Sequence, residues 1–318
     1  MSEAVDPHLL PACVAIVGPT ATGKSDVAVH LAGLIGGEVV NADAFQVYRG
    51  MDIGTAKVSR AQRAAVAHHL VDILDVAQDI SVASFQGLGR VVLGDLALRG
   101  VPAVVVGGSG LYVRALLDDL RFPGSDPEIR AHWERQLACL GPQGLHTLLR
   151  ERDPDAAAHI LPTNGRRIVR ALEVGQLTGT GFVAQLPVDG PPFVAHVSVG
   201  LDLPRDQLDE RIRRRVDLMF EQGLVDEVRQ LIGRGLRDGR TASRATGYPQ
   251  VLELLDGRID LATAVEGVVL ATQRLARRQQ RWFHRDPRTT WLDAGAEPSS
   301  TASRIVGLLA ASPRKVGP

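Results

Sequence analysis

Cysteine is nearly absent: the 318 residues hold only Cys13 and Cys139. The two lie far apart and neither has a Cys or His partner at ligand spacing. That argues against a zinc site and a disulfide framework, and it points to a reducing compartment, most simply the cytoplasm. No apolar run approaches the ~20 residues needed to cross a bilayer, so no membrane partner is expected. Residues 1–11 carry acids and lack a basic stretch followed by an apolar one, so they do not read as a secretory signal. Internal repeats and low-complexity stretches are also missing. Charge of one sign is lacking overall, since 36 basic and 36 acidic residues cancel, which argues against a uniformly basic nucleic-acid binder.

What remains is an ordinary globular composition, 45% hydrophobic and 23% charged, long enough for one large domain or two smaller ones. The neutral average hides clusters. Four of the five residues 211–215 are arginine, and residues 274–288 hold six arginines and one acid, Asp286. Such tracts are either solvated helix faces or a groove for a phosphate backbone.

The organising stretch is 18–25, G-P-T-A-T-G-K-S, which fits G-x-x-x-x-G-K-[ST]. An apolar run at 12–17 predicts a strand leading into it, and Val27, Leu31 and Leu34 at helical spacing predict a helix leading out. Glycines let such a loop curl round an anion, with backbone N–H groups and a helix start aimed inward. Gly18, Pro19, Thr20, Ala21, Thr22, Gly23, Lys24 and Ser25 are therefore the candidate phosphate-binding residues. Lys24 brings a charge to the phosphate, and the Ser25 hydroxyl is the candidate ligand for Mg²⁺.

Further strands are expected over 37–43, 69–74, 102–106, 196–203 and 289–292, with helices over 82–98 and from 110. This alternation predicts an α/β fold, a mostly parallel sheet flanked by helices, with ligands beyond the carboxyl ends of its strands. The loop, Asp43 and the Gly107–Gly110 turn then share one edge. Residues 44–57 have no clean period and read as a functional irregular segment. From Asp126 to about 181 the pattern is helical, opened by Asp126-Pro127 and again by Asp153-Pro154. A turn-rich boundary follows at 187–192. The expected organisation is a core over 1–120, a helical insertion over 121–192 and a second core part over 193–318, with a loose helix or tail from about 297. Later helices are expected over 204–222, 224–232 and 261–284. On the first of these, Arg215 falls between Leu208 and Leu218, at the margin of the apolar stripe. A guanidinium there needs either a carboxylate or a bound anion.

The loop alone suits a small-molecule kinase, a switch or motor NTPase, or an enzyme that transfers an alkyl group from a diphosphate. The strand at 102–106 ends in glycines and not in a Mg²⁺-holding Asp, and no N-K-x-D stretch exists, which lowers the switch reading. A kinase stays open, with Asp43 as its base.

Longer stretches resemble one family. G-P-T-A-T-G-K-S at 18–25, NADAFQVYRGMDIGTAK at 41–57, HHLVDIL at 68–74 and PAVVVGGSGLYVRALL at 102–117 are similar to the bacterial tRNA dimethylallyltransferases. So are RRIVRALEV at 166–174, RIRRRVDLMFEQGLVDEV at 211–228, ATGYPQ at 245–250 and ATQRLARRQQRWFHR at 271–285. They occur in the family's order, from about residue 12 to 293. The resemblance implies a P-loop NTPase-like (nucleotide-kinase-like) fold. It implies transfer of a dimethylallyl group from dimethylallyl diphosphate to the exocyclic N6 of the adenosine 3′-adjacent to the anticodon, position 37, in tRNAs reading codons that start with U. Diphosphate is then the leaving group, Asp43 the base, Ser109 (the family's threonine) a hydrogen-bonding group at the reacting centre, and Arg215 a diphosphate ligand.

The tRNA anticodon stem-loop is the implied partner of Asp43, Ala44, Phe45 and Gln46, and of Ser109 and Arg130. Arg166, Arg167, Ile168, Val169 and Arg170 match further contacts, as do Arg244, Ala245, Thr246, Gly247, Tyr248 and Pro249. Arg277, Arg278, Gln279, Gln280, Arg281, Trp282, Phe283 and His284 complete the set. Mg²⁺ is the implied cofactor, and a monomer is expected. Departures from the family pattern are Ala44 after the catalytic Asp, Thr163-Asn164 before the R-x-x-R segment, and Ser84 before Phe85. Two isolated cysteines cannot build the zinc finger of the eukaryotic relatives, so the bacterial form is expected. The rival prenyl acceptor is free AMP, ADP or ATP.

Overall fold

The computed structural model describes residues 13–182 and 192–311. The strands are β1 Cys13–Val17, β2 Glu38–Asn41, β3 His68–His69, β4 Ala103–Val106, β5 Val197–Asp202 and β6 Thr289–Asp293. They form one sheet of order β3-β2-β4-β1-β5-β6, and every neighbouring pair is parallel. The helices are α1 Lys24–Ile35, α2 Arg60–Ala65, α3 Val82–Leu98, α4 Gly110–Leu117, α5 Pro127–Arg152 and α6 Pro154–His159. There follow α7 Gly165–Thr178, α8 Arg205–Glu221, α9 Leu224–Ile232, α10 Tyr248–Leu255, α11 Leu261–Phe283 and α12 Pro298–Ala311.

All of β1 and β4 is buried, which is why these strands read as unbroken apolar runs: both of their faces are covered. Their side chains alternate between two cores. Cys13, Ala15, Val17 and Val105 face the side packed by α3, α4, α9 and α10. Val14, Ile16, Val104 and Val106 face the side packed by α1, α8, α11 and α12. Cys13 is a core residue, and burial pushes its thiol up to about 12. The order β4-β1-β5 lets the connections leaving β1, β2 and β4 open on the same edge. There, Gly18 (φ 132°) passes so close to β5 that a Cβ would lie 2.3 Å from the Leu201 carbonyl oxygen. No side chain fits at that position.

The described residues fall into two compact units. The first runs to Asp119 and resumes at 192; it contains the sheet. The second starts at Leu120 and is helical as far as it is described, with Trp133, Leu145, Leu149, Ile160, Ile168, Val169 and Leu172 in a core of its own. Asp126, Asp153 and Asn164 cap α5, α6 and α7 with their side chains. Glu173, fully buried, is held by Arg170 at 2.9 Å and by the Ser125 hydroxyl at 2.5 Å. The boundary expected at 187–192 lies outside the described residues except for Pro192, as do residues 1–12 and 312–318.

Two expectations are corrected. The strand expected over 69–74 ends at His69, because Leu70 and Asp72 take positive φ (61° and 57°). Residues 72–74 instead donate to the carbonyls of Gln46 and Val47. The stretch from about 297, expected as a loose helix or tail, is a packed helix over its described length. Ala302, Ile305 and Leu309 form a buried stripe in the second core, and α12 lies against α1. A short apolar stripe behind a polar loop gave little signal of this. Ile305→Ala should therefore cost about 2–5 kcal/mol in urea unfolding; a loss below about 0.5 kcal/mol is what a loose surface tail would give.

Candidate active site

The carboxyl edge of the sheet opens into a cavity of about 500 Å³. Thr20, Ala21, Gly23, Lys24, Ser25 and Asp26 line it from the loop after β1, and Asn41, Asp43, Phe45 and Gln46 from the end of β2. Gly107 and Gly108 contribute after β4, Arg211, Arg214 and Arg215 from α8, and Gln279 from α11. α1 begins at Lys24 after Gly23 in left-handed conformation, and no side chain caps its first turn. Unclaimed N–H groups and the positive end of the helix thus face the cavity, an arrangement that favours an anion. Thr22, 2% exposed, braces the loop from within by donating to the Pro19 carbonyl.

Two cations enter this cavity without a carboxylate of their own. Lys24 donates to the Pro19 carbonyl at 2.5 Å, and Arg215 donates to the Thr20 hydroxyl at 3.2 Å. Among the described residues neither is in an ion pair. Two acids earlier on its helix are engaged elsewhere: Glu210 with Arg214, and Asp209 with Arg205. Lys24 is lowered to about 7, first by burial and next by the charge of Arg215, with Asp43 pulling the other way. Burial also lowers Arg215, against the opposing pull of Asp43 and Asp26. Both keep some surface on the cavity, yet protein surrounds them closely enough for lost hydration to dominate.

Asp43 is the carboxylate opposite. Burial raises its pKa above the usual carboxylate range, opposed by the backbone N–H of Phe45, by Lys24, by the backbone N–H of Gln46 and by Arg215. Its Oδ1 accepts from Phe45 N–H at 2.9 Å. Asn41, 3% exposed, fixes the backbone there. It accepts from Asp43 N–H at 3.0 Å and donates to the carbonyls of Asp43 and Leu70. Ser109, just before α4, accepts from Ala44 N–H at 3.2 Å, which ties its hydroxyl to the Asp43 turn.

The irregular segment 44–57 is rigidly held. Val47, Tyr48 and Met51 are core residues. The Glu227 carboxylate on α9 accepts from three consecutive N–H groups, Asp52 at 2.8 Å, Ile53 at 2.6 Å and Gly54 at 3.1 Å, and from the Tyr248 hydroxyl at 2.7 Å. Lys57 bridges Asp52 and Asp72. Sequence reasoning missed Glu227, since a lone acid on an amphipathic helix carries no signal. It also missed Arg211, Arg214, Lys57 and Thr272 as cavity-lining residues; the arginine tract at 211–215 was the available clue.

Among the residues matched to tRNA contacts, Asp43, Phe45, Gln46, Ala245, Thr246, Gly247 and Gln279 line the cavity. Arg244, Arg278, Arg281 and Trp282 are exposed, and Arg277, Pro249 and Ala44 partly so. The side chains of Ile168 and Val169 are in the core of the second unit, and those of Ala245, Tyr248 and Phe283 are in the first core. Burial leaves these positions mainly their backbone groups to offer a partner. Gln280 and His284 both bind Asp202, at 2.7 and 2.9 Å. In the second unit, Arg170 donates to the Pro123 and Gly124 carbonyls and to Glu173, and Arg130 pairs with Glu134 and Glu173. Arg166 and Arg167 open α7.

The described residues hold no group of three or more His, Cys, Asp or Glu arranged to bind a metal. What the cavity offers a cation is the Ser25 hydroxyl with carboxylates at Asp26 and Asp43. Mg²⁺ keeps several waters and takes its other ligands from phosphate oxygens, so this sparse set fits it.

The family described as IPP transferase matches residues 46–286, and that described as isopentenyl transferase matches 11–70. The tRNA dimethylallyltransferase of Kineococcus radiotolerans is 57% identical over 304 residues, 93% of this chain and 96% of that protein. That of Streptomyces coelicolor is 54% identical over 295 residues, covering 93% and 94%. The crystal structure of the tRNA isopentenylpyrophosphate transferase of Bacillus halodurans superposes with a TM-score of 0.69 at 40% identity, covering 94% and 95%.

The low pKa of Lys24 makes anion binding pH-dependent with a definite sign. Lys24 is charged below about 7 and neutral above it, so affinity for sulfate, which does not itself titrate there, should be flat below pH 6. Above pH 7 it should fall, approaching tenfold per pH unit. Lys24→Arg stays charged and should flatten the profile. Calorimetric titration measures both; parallel profiles would remove Lys24 from the anion site.

Proposed function

The chain belongs to the IPP transferase family, and on that premise we propose how its cavity performs dimethylallyl transfer to tRNA. It is a prenyltransferase: a dimethylallyl group passes to an adenosine of tRNA, as in the relatives named tRNA dimethylallyltransferase. The acceptor in our reading is N6 of adenosine 37, beside the anticodon, in tRNAs that read codons starting with U. The donor is dimethylallyl diphosphate. The observation that carries this reading is the pair of cations, Lys24 and Arg215, that share a cavity with one shielded carboxylate, Asp43.

The diphosphate lies along residues 18–25, where the N–H groups opening α1, Lys24 and Arg215 offset its charge. The N6 nitrogen attacks the first carbon of the allyl group, the carbon–oxygen bond breaks, and its electrons leave with diphosphate. These positive groups are most useful as that charge develops on the leaving oxygen. Asp43 takes the proton that N6 loses. A carboxylate with a raised pKa is a stronger base than a free one, which suits proton transfer near neutral pH. Ser109, bonded to the Asp43 turn, holds the reacting centre. Mg²⁺, with Ser25 as its protein ligand, would spread the leaving charge.

The adenine must leave its stack to reach such a cavity. In our reading the arginines Arg244, Arg278 and Arg281, which are exposed, meet phosphates of the anticodon stem-loop. In the second unit Arg130, Arg166, Arg167 and Arg170 are candidates for the same role, alongside their internal bonds. Among the described residues no helix is long and apolar enough to cross a membrane. Action on tRNA suits a monomeric cytoplasmic enzyme.

Incubation with radiolabelled dimethylallyl diphosphate and total tRNA should place label in tRNA. Label in free adenine nucleotide instead, or no transfer with ATP consumption, would overturn the reading. Asp43→Asn keeps the acceptor for Phe45 N–H but cannot take a proton. It should lower kcat at least about a hundredfold with diphosphate affinity retained; near-normal turnover would remove Asp43 from the role of base.

A further inference from the structure

We propose that Gln279 is the positioning residue that locks the diphosphate loop to the turn carrying Ser109, and that it is not a contact to RNA. Its side chain is 8% exposed and is used at both ends. Oε1 accepts from the Thr20 backbone N–H at 2.8 Å, and Nε2 donates to the Gly108 carbonyl at 2.9 Å. A primary amide satisfies this donor–acceptor pair in one orientation only. Thr20 is thereby held in the loop, and its hydroxyl is the group on which Arg215 rests, at 3.2 Å. At the other end Gly108 precedes Ser109, whose hydroxyl accepts from Ala44 N–H, next to Asp43. One hydrogen-bonded path therefore runs from Arg215 through Thr20, Gln279 and the Gly108-Ser109 turn to the backbone beside Asp43.

The packing around Gln279 says the same. A Cβ at Gly108 would lie 2.3 Å from Nε2, and one at Gly110 would lie 2.0 Å from the Trp282 indole nitrogen. α11 is pressed directly onto the turn, and the glycines there make room for it. On the same helix Arg274, Arg278 and Arg281 point outward. The helix thus divides its work, with an outer face of exposed charge and one buried amide that fixes the site.

Without that amide the Thr20 N–H and the Gly108 carbonyl lose their partners in a shielded place. The loop and the Ser109 turn then lose their common reference. Misplacement of reacting groups by about 1 Å can cost a hundredfold in rate.

The test rests on the prenyl-transfer reading for its main readout. Gln279→Leu should lower kcat by about a hundredfold while KM for tRNA stays within about twofold. Gln279→Glu supplies a rescue. When protonated, its carboxylic acid offers the same acceptor and donor as the amide, and when ionised it repels the Gly108 carbonyl. Its activity relative to wild type should therefore rise as pH falls from 8 to 6. The charged groups on the cavity, Lys24, Asp26, Asp43, Lys57, Arg211, Arg214 and Arg215, are common to both proteins, and Gln279→Leu, which adds no charge, is the control for any shift the new carboxylate causes in them. Unchanged kcat in Gln279→Leu, a loss confined to KM for tRNA, or a Gln279→Glu profile parallel to wild type would each overturn the proposal. Should Gln279→Leu fail to fold, Gln279→Glu decides alone. Should wild type transfer no label to tRNA, the function reading fails separately, and sulfate binding still tests the lock: about tenfold weaker binding in the uncharged Gln279→Leu supports it, and unchanged binding overturns it.

Discussion

Two positive charges, Lys24 and Arg215, are pushed into one poorly hydrated cavity with no carboxylate ion pair for either among the described residues. Cations in that position are costly unless something neutralises them. The fold keeps them there by hydrogen bonds to its own loop, the Pro19 carbonyl for Lys24 and the Thr20 hydroxyl for Arg215. Asp43, the acid that acts on both, is itself raised by burial. The balance is short of negative charge, and the diphosphate of the proposed reaction is the kind of group that would supply it.

The rest of the first unit holds that arrangement in place. The parallel sheet brings the ends of β1, β2 and β4 to one edge. Helices from the later half of the chain then reach back to fix the connections. Gln279 joins the first loop to the β4 turn. Glu227 gathers three backbone N–H groups of the segment after β2, and Tyr248 covers its remaining lone pair. Apart from the Tyr248–Glu227 pair, these are contacts between residues more than a hundred positions apart, made by a polar side chain to main chain. Such bonds fix geometry without fixing a local sequence pattern.

That explains what the sequence could and could not reveal. The apolar runs at 13–17 and 103–106 and the spacing of Val27 and Leu31 carry the sheet and its first helix openly. The placement of Lys24 follows from them, because a glycine-rich turn between strand and helix has few other conformations. Arg215 stood out because a charge at the margin of an apolar stripe needs a partner. Glu227 and Gln279 did not, since their partners are backbone groups, which look alike at every position. Ile168, Val169, Tyr248 and Phe283 belonged to stretches matched with RNA contacts, yet their side chains build the cores. A motif marks a segment, and burial decides which of its residues face out. The helix from Pro298 was underestimated for a related reason: Ala302, Ile305 and Leu309 make too short a stripe to separate a packed helix from a fraying one.

In the proposed reaction the loop at 18–25 holds a departing diphosphate and not a phosphoryl group in transfer. The most direct measurement is the stoichiometry of phosphate products released by the purified protein from dimethylallyl diphosphate and tRNA, with no nucleoside triphosphate present. The account predicts one inorganic diphosphate for each prenyl group joined to tRNA, at full rate. Release of orthophosphate, or a requirement for ATP hydrolysis before any prenyl group is joined, would contradict it.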